Sequence, residues 1–157
     1  MRCPSCNAEM TRRLGDHHYT ESGLDNVFLH QVEIFDCPCG EQVVGIPNLP
    51  SLHDLIAKTI LGKKALLTGQ EIKFLRKNMG LTALALAKLL GVNNATISRW
   101  EHDEHPIQEP TDRLLRLVYA LNKGIPAGEL VRDFPEIQAQ QTAPAQIDLT
   151  SENWQAA

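Results

Sequence analysis

The sequence lacks three features that would assign it to large classes of protein. No apolar run approaches the ~20 residues that a membrane-spanning helix needs. No Ser/His/Asp set and no paired carboxylates suggest a catalytic centre, so we expect a protein that is not an enzyme. The first ten residues, MRCPSCNAEM, lack the apolar centre of a secretory signal, which predicts a cytoplasmic protein with reduced cysteines.

An excess of positive charge is also lacking. The chain has 15 Lys and Arg against 19 Asp and Glu, and this net charge of −4 argues mildly against a nucleic-acid partner when it is averaged over all 157 residues. The charge is unevenly distributed, because residues 69–123 carry eight basic and six acidic side chains whereas residues 129–157 carry one Arg and five acids. The middle of the chain therefore remains compatible with DNA.

The four cysteines all lie near the beginning of the chain, as Cys3-Pro-Ser-Cys6 and Cys37-Pro-Cys39. Reduced cysteines in close pairs favour metal binding over disulfides, and two intervening residues let one tight turn aim both sulfurs at the same ion. We therefore predict one structural Zn²⁺ per chain, held by four thiolates. The second pair has a single intervening residue, which predicts a wider or more strained chelate.

Two alternatives remain for this region. His17, His18 and His30 are reserve ligands if Cys39 does not bind, and Cys3 with Cys6 could be a redox pair, although the βαβ pattern typical of such pairs is missing. Between the cysteine pairs, residues 18–22 and 27–35 have the composition of strands on either side of a turn. The sequence thus predicts a zinc-pinned antiparallel β-hairpin as a domain over residues 1–47.

A linker helix is predicted within residues 48–67. Pro47 and Pro50 end the first domain, and Ser51 can cap a helix that runs to about Leu61. The following Gly62-Lys63-Lys64 reads as a solvated basic linker.

The most informative stretch is residues 81–103, LTALALAKLLGVNNATISRWEHD. Apolar residues recur at helical spacing before and after Gly91, a residue that readily adopts positive φ at a turn. The predicted buried positions are Leu84, Leu86, Ala87, Leu90, Val92, Ile97 and Trp100. This pattern predicts a helix-turn-helix, with an ordinary helical hairpin as the alternative.

The outer face of the second helix then carries Asn94, Ala95, Ser98 and Arg99, and a major groove reads such a face. Arg99 suits guanine and Asn94 suits adenine, since each side chain can form a bidentate pair with that base. Ala95 either contacts a thymine methyl or is simply a good helix former.

Three further helices complete the domain predicted over residues 68–135. The first is Gln70–Asn78, capped by Thr68 or Gly69, and Thr82 caps the next helix. A later helix, Thr111–Asn122, has Thr111 as its cap and stops at Gly124, and a short fifth helix ends near Phe134. The predicted core stripe of the helix Thr111–Asn122 consists of Leu114, Leu115, Leu117, Val118 and Leu121.

Residues 136–157 are poor in apolar side chains and predict a disordered tail, in which Trp154 is the one large anchor.

The predicted class is α+β: a small zinc-pinned β-hairpin followed by an all-α, five-helix DNA-binding domain.

Two resemblances follow from these motifs. Residues 69–134 resemble the Cro/phage-repressor helix-turn-helix family, and with the cysteine pairs the chain from Met1 to about Phe134 resembles the MqsA/YgiT-type antitoxins. The resemblance implies a homodimeric autorepressor that binds a palindromic operator in double-stranded DNA. It also implies a cognate toxin protein that the N-terminal half neutralises, and a structural role for the zinc.

The resemblance also implies roles for single residues. Asn93 would cap the reading helix, Asn94 and Arg99 would approach base edges, and Thr96 or Ser98 would approach the DNA backbone. Arg76 and Glu101 match an ion pair between the first and third helices of such repressors. Two departures are Ala83, where the family usually has a glutamine that contacts phosphate, and the loop His102–Pro106, where many members have a glycine.

The main alternative function is a stand-alone helix-turn-helix regulator whose cysteine segment senses a metal or redox state. A zinc hydrolase is disfavoured, because four thiolates leave no coordination position for water. His102 and His105 suggest a solvated loop rather than a second metal site, since no further ligands lie nearby in the sequence.

Overall fold

The computed structural model describes residues 1–138 and 146–155, and the side chain of Gln155 is not among the described atoms. The strands are β1 (Thr11–His18), β2 (Val27–Asp36), β3 (Gln42–Gly45) and β4 (Ile147–Thr150). The helices are α1 (Leu49–Leu61), α2 (Gly69–Asn78), α3 (Ala83–Leu90), α4 (Asn94–Glu101), α5 (Glu109–Lys123), α6 (Ala127–Asp133) and α7 (Glu152–Gln155). This order confirms the α+β class. No helix among the described residues is long and apolar enough to cross a membrane.

The chain forms two compact units. The first contains Met1–Glu21, Asp25–Leu55 and the described residues from Gln146 onward, and the second contains Ser22–Leu24 and residues 56–138. The division therefore falls within α1.

The strand β2 is the centre of the sheet in the first unit. It pairs antiparallel with β1 along one edge, while residues 33–36 pair antiparallel with β3 and residues 27–30 pair parallel with β4. The predicted hairpin is therefore present, but its first strand ends at His18, where the prediction began it. Residues 11–18 are almost all exposed, so hydrophobic alternation gave no signal for β1, and its position follows from pairing with β2.

The alternation of buried and exposed residues along β2 shifts by one position at Gln31. This residue has φ of +57°, and one residue of β1 lies opposite two residues of β2 at this point. Such a bulge lets Val27 and Leu29 share a buried face with Val32 and Ile34, although their spacing departs from strict alternation.

The C-terminal segment differs from the expected disordered tail. Residues 147–150 form β4, and Trp154 is fully buried, with its indole N–H donating to the Pro47 carbonyl at 2.9 Å. Asn48 in turn donates to the Trp154 carbonyl at 3.4 Å. The remainder of the expected tail, residues 139–145 and 156–157, lies outside the described residues.

The second unit contains the five helices α2 to α6, as predicted for the DNA-binding domain. The helix α5 begins at Glu109 rather than Thr111, because Pro110 is accommodated in its first turn. Its predicted core stripe is only partly buried, since Leu114 and Leu121 are exposed. The predicted buried position Leu84 on α3 is also exposed, at 52%.

Candidate metal centre and nucleic-acid interface

Two tight main-chain turns carry the cysteines. In the first, the N–H of Asn7 donates to the Cys3 carbonyl at 2.9 Å and Asn7 has φ of +62°. In the second, the N–H of Gly40 donates to the Cys37 carbonyl at 2.9 Å, and Gly40 has φ of +93°. These left-handed residues reverse the chain directly after each cysteine pair, so that both sulfurs of a pair point to the same side.

The four sulfurs form a single group. All four Sγ atoms lie within 4.8 Å of one another. The Cys3–Cys39, Cys6–Cys37 and Cys37–Cys39 Sγ distances are 3.7, 3.4 and 3.3 Å. Zinc–sulfur bonds of about 2.3 Å in a tetrahedron place neighbouring sulfurs about 3.8 Å apart. The group therefore fits a tetrahedral metal ion after small shifts, and one residue between Cys37 and Cys39 suffices to bring their sulfurs together.

The shared position perturbs the thiols in opposite directions. Burial works to raise the pKa of Cys3, but hydrogen bonds from the backbone of Cys6 and Ser5 and from neighbouring thiols lower it to about 7. A backbone hydrogen bond from Cys39 lowers the pKa of Cys37, but burial and the three neighbouring sulfurs together outweigh it and raise this pKa to about 12. Ionising every thiol in so small a space is costly without a cation, and a bound divalent metal would remove that cost.

The three histidines predicted as reserve metal ligands interact with other side chains instead. His17 pairs with Glu21 at 3.1 Å, and the His18 ring stacks on Phe28 with centroids 4.4 Å apart. His30 lies between Asp16 and Asp148. Among the described residues, the group that could hold a metal consists of the four cysteines.

The cysteine group sits on a small apolar cluster. Cys3, Met10 and Cys37 are buried, with Ala8, Phe35 and Val43 packed against them. This cluster contains few side chains, so the turns have little apolar burial of their own.

In the second unit, short polar caps fix where each helix of the helix-turn-helix begins. Thr68 and Glu71 form a reciprocal capping box at α2, and Thr82 Oγ1 accepts from the Ala85 N–H at 3.1 Å at α3. Gly91 ends α3 with φ of +70°, and Asn93 Oδ1 then accepts from the Thr96 N–H at 3.1 Å at the start of α4. The turn and the cap thus set the direction of α4.

The helix α4 has one buried and one exposed face. Ile97 is fully buried and Trp100 is 6% exposed. The exposed positions include all four that the sequence assigned to the outer face: Asn94, Ala95, Ser98 and Arg99. Thr96 is half-buried. The Arg99 guanidinium has no hydrogen-bond partner among the described residues, so its donors are available to an acceptor outside the chain.

An ion pair joins α4 to α2. The Arg76 guanidinium makes two hydrogen bonds to the Glu101 carboxylate, one of them from Nη2 at 3.0 Å. A further bond from Arg76 reaches the Leu81 carbonyl at 3.0 Å, so the same side chain also holds the α2–α3 turn. Both side chains of the pair are largely buried, which makes their bidentate geometry well defined.

Nothing in the sequence indicated a close approach between the start of α2 and the end of α4. A Cβ at Gly69 would lie 2.3 Å from the Trp100 carbonyl oxygen, so only glycine fits there. The Gly69 N–H donates to Asp103 Oδ1 at 2.9 Å, and Asp103 has φ of +55°. Gly69 and Asp103 therefore fix the loop that follows α4. No signal in the sequence distinguishes this glycine from an ordinary helix-start residue.

A buried ion pair in α5 was also missed. Asp112 and Arg116 are fully buried and 2.7 Å apart, and Arg116 donates to the carbonyls of Leu61, Lys63 and Ala65. Asp112 Oδ2 accepts from the Leu67 N–H at 2.7 Å. The segment Gly62-Lys63-Lys64, predicted as a solvated basic linker, is therefore held against α5 through hydrogen bonds from Arg116 to main-chain carbonyls in and next to the segment. The carbonyls that stabilise Arg116 come from a distant part of the chain, and a local pattern could not indicate them.

These pairs change the charge that the helix-turn-helix presents to solvent. Glu71, Glu101 and Asp112 are neutralised by Lys63, Arg76 and Arg116. Four basic side chains remain exposed on α2 to α4, namely Lys73, Lys77, Lys88 and Arg99. The exposed acids closest to them in sequence are Asp103 and Glu104, after α4. The surface of the three helices is therefore more basic than the composition of the domain suggests.

Comparison with models of protein families finds a match to the Helix-turn-helix family over residues 72–118. The match covers most of α2, all of α3 and α4 and the first ten residues of α5, so it includes the Arg76–Glu101 pair. No curated protein and no solved structure matches the chain. The family is one of DNA-binding regulatory domains and not of enzymes, which supports a DNA-binding transcriptional regulator.

Proposed function

We propose that this helix-turn-helix regulator is a homodimeric, sequence-specific repressor of the antitoxin type, which controls its own operon and neutralises a toxin through its N-terminal half. The observation that carries the DNA-reading part is α4. Its buried face is filled by Ile97 and Trp100, while Asn94 and Arg99 lie exposed within the matched residues. Asn94 and Arg99 read base edges, and Ser98 and Thr96 approach the backbone.

The proposed dimer reads a palindrome in double-stranded DNA. An eight-residue α4 covers only part of one turn of DNA, so two copies with half-sites ~34 Å apart supply the sequence information that one copy lacks. Two features replace the family's glutamine contact at Ala83. The exposed Lys88, in the last turn of the same helix, offers a charge to phosphate, and backbone N–H groups in the first turn of α3 offer neutral donors.

The test of DNA reading is selection of binding sites from a randomised duplex library. We expect the wild-type protein to enrich a palindrome, and Arg99→Ala to weaken binding to it by about 1–3 kcal/mol with an unchanged circular dichroism spectrum. Arg132→Ala is the matched control, because Arg132 is exposed and lies outside the matched residues. Equal affinity of the Arg99→Ala and wild-type proteins would refute the assignment of α4.

Zinc is the metal that we propose for the cysteine group. Four thiolates at tetrahedral spacing match the structural zinc sites of small domains, and they leave no position for a reacting water. The ion would hold the two turns together, since the apolar cluster beneath them is small. Its role is therefore structural, with one ion per chain.

The toxin part of the proposal rests on the order of the two units and on the resemblance to zinc-containing antitoxins. The test uses the reading frame next to this gene. We expect its product to arrest growth when expressed alone, and co-expression of the full chain to restore growth. Arg99→Ala should still restore growth while losing repression, because the two activities use different units. A neighbouring product that is harmless, or does not bind this chain, would contradict the antitoxin role.

A second candidate is a regulator whose cysteine group senses oxidants. Cys6 and Cys39 are exposed, whereas Cys3 and Cys37 are buried, so two of the four sulfurs are open to reagents. This function predicts that mild peroxide releases the metal and lowers affinity for the selected palindrome, and that a reductant with added zinc restores both. Metal that stays bound until the protein unfolds would exclude the sensor.

A further inference from the structure

The helix α4 ends in a defined turn. The Asp103 N–H donates to the Trp100 carbonyl at 3.1 Å, and the Glu104 N–H donates to the Arg99 carbonyl at 2.9 Å. Asp103 has φ of +55°, and its carboxylate accepts from the Gly69 N–H at 2.9 Å. Two such backbone bonds around a left-handed residue are the Schellman motif, which satisfies carbonyls that a helix end otherwise leaves open. The first residues after α4 are therefore held in fixed positions.

His102, the residue just after α4, has its side chain fixed by the same turn. Its backbone N–H donates to the Ser98 carbonyl at 3.0 Å, and its Nδ1 lies 2.7 Å from the same oxygen. A carbonyl oxygen only accepts, so Nδ1 carries a proton in both charge states of the ring. Nε2 makes no hydrogen bond to a described residue, and His102 is exposed. Nε2 is therefore the atom that is available to a ligand.

His102 continues the outer face of α4. At about 100° per residue, the positions of that face cover an arc of about 140°, and position 102 falls near the centre of the arc. Those positions are Asn94, Ala95, Ser98 and Arg99, all exposed. The backbone bond from His102 to Ser98 keeps the helical spacing one residue beyond the end of α4. The outer face thus has a fifth position, where the sequence suggested a solvated loop.

Protonation decides what Nε2 offers to DNA. In the neutral ring Nε2 is an acceptor, which a phosphate oxygen repels, whereas in the charged ring it is a donor that a phosphate oxygen accepts. Base contacts of a helix-turn-helix come mainly from the N-terminal part of the reading helix, so a residue at its other end lies towards the DNA backbone. The C-terminal end of a helix also favours a cation. A charged imidazole at this position suits a phosphate.

We propose that His102 is a phosphate-binding residue that contacts DNA in its charged form, so that the protein binds DNA more tightly as pH falls. The inference deepens the proposed function and rests on it, because it requires the outer face of α4 to face DNA. A phosphate raises the pKa of a histidine that it contacts. The contact is then complete below the ordinary histidine pKa of about 6.5 and is lost as pH rises through the raised value in the complex.

None of the charged side chains next to His102 in sequence pairs with it. They are Arg99, Glu101, Asp103 and Glu104. Glu101 is bound to Arg76, and Asp103 accepts from a backbone N–H. Asp103 and Glu104 are both exposed, so they place two negative charges beside the proposed phosphate contact. A charged His102 offsets this repulsion, whereas a neutral one does not.

The start of α2 packs against the same turn through Gly69. The first charged side chains of α2 are Glu71, which is bound to Lys63, and Lys73, which is exposed. The start of α2 therefore brings no unpaired acid to the turn. Titration of His102 is then the change in charge that the turn undergoes near neutral pH, since Asp and Glu ordinarily titrate near 4 and Lys above 10.

The test measures affinity of the full chain for the palindrome enriched from the duplex library, at one salt concentration and at several pH values. We expect wild-type affinity to fall by about tenfold or more as pH rises from about 6 to 8. His102→Gln should bind more weakly at the lower pH and show no such fall, because an amide does not gain charge. His102→Lys, which stays charged, should bind tightly throughout. His105→Gln is the matched control, an exposed histidine of the same loop, and should keep the wild-type profile.

A second measurement locates the contact on the DNA. Each phosphate of the half-site is replaced in turn by a neutral methylphosphonate, and the pH profile is repeated with the wild-type protein. We expect the pH dependence to disappear at one position per half-site, because the charged imidazole then has no anion to bind. A pH dependence that survives at every position would overturn the phosphate contact.

Three further results would overturn the inference: a wild-type affinity that does not change with pH, a His102→Gln profile equal to the wild-type profile, or a flat profile in His105→Gln. Circular dichroism across the pH range establishes that each variant stays folded. Failure of the proposed function is separable, because a phosphate contact does not depend on base sequence. If the library enriches no palindrome, the same pH profiles on a duplex of mixed sequence decide the role of His102, and a chain that binds neither duplex removes both proposals.

Discussion

The two units of this protein hold their functional residues in place by different means. In the first, four sulfurs lie above a cluster of few apolar side chains, and main-chain turns aim them. In the second, α4 is held by fully buried Ile97, by the Arg76–Glu101 pair and by the Gly69 contact. The comparison teaches that the second unit carries its own packing, whereas the proposed metal ion would supply to the first what its few apolar side chains do not.

Metal removal should give the largest difference in stability between the two units. Structural zinc contributes about 10–16 kcal/mol of apparent binding free energy in zinc-finger peptides. We expect chelation, or Cys6→Ser with Cys39→Ser, to abolish hydrogen-exchange protection around the cysteine turns and to leave the amides of α4 protected. Ser5→Ala is the control within the same turn. Loss of protection in α4 would show that the units are not independent in this respect.

Trp154→Ala should have the next largest effect. Trp154 is fully buried and its indole N–H bonds the Pro47 carbonyl, so truncation leaves a large cavity and an unpaired acceptor. We expect the free energy of unfolding of the first unit to fall by about 3–5 kcal/mol, measured by hydrogen exchange of the β4 amides at increasing denaturant concentration. Trp154→Phe should lose less, because it keeps most of the volume. An unaltered β4 in Trp154→Ala would mean that the C-terminal segment contributes little to the first unit.

Gly69→Ala tests the packing of the second unit. The added Cβ would meet the Trp100 carbonyl oxygen at 2.3 Å, and both are backbone-bound groups that cannot move freely. We expect a destabilisation of about 1–3 kcal/mol together with weaker DNA binding, since the contact fixes the end of α4. Gly128→Ala is the matched control, because a Cβ there meets nothing within 4 Å. Equal thermal stability of the Gly69→Ala and Gly128→Ala variants would contradict a role of this close contact in stability.

The smallest expected effect is a pH dependence of the first unit. Hydrogen bonds to Asp148 and to Asp16 raise the pKa of His30, and the bond to His30 lowers the pKa of Asp148. The His30 contribution is present below the ordinary histidine pKa of about 6.5 and is lost as pH rises through the raised value. The Asp148 contribution is present above about 3.9 and is lost as pH falls through the lowered value.

The pairing should therefore protect β4 best between about pH 4 and 6.5. Hydrogen exchange of the β4 amides, corrected for intrinsic rates, measures it, and Asp148→Asn should flatten the profile. His18→Gln is the control, since His18 bonds the Asp25 carbonyl rather than a carboxylate. The same profile in the Asp148→Asn and wild-type proteins would contradict the role of this pair.

Local signals explain which parts were predictable. Helix boundaries in the second unit are set by Thr68, Thr82, Asn93 and Gly91, each within a few residues of what it caps. The sequence predicted Thr82 and Gly91 directly, left Thr68 and Gly69 as alternatives for the first cap, and gave Asn93 only through the family resemblance. The cysteine group was also predictable, because its chemistry needs only spacing and residue type.

What could not be predicted depends on distant contacts. The strand β4 pairs with β2 from more than a hundred residues away, and β1 has too little buried surface to show alternation. In α5 the pattern assigned Leu114 and Leu121 to the core, yet Asp112 and Arg116 occupy the buried side, because carbonyls of residues 61–65 satisfy the guanidinium. Leucine spacing alone could not distinguish the buried face of α5 from its exposed face.

The central claim, that α4 reads base sequence through Arg99, is tested most directly by a combined substitution in protein and DNA. Each base pair of the selected half-site is replaced in turn, and affinities are measured for the wild-type and Arg99→Ala proteins at one salt concentration. We predict that the wild-type protein loses about 1–3 kcal/mol at one G·C pair per half-site, and that Arg99→Ala no longer distinguishes this pair while keeping its preference at the others. A uniform loss across all positions, or an unchanged preference at every position, would contradict the claim.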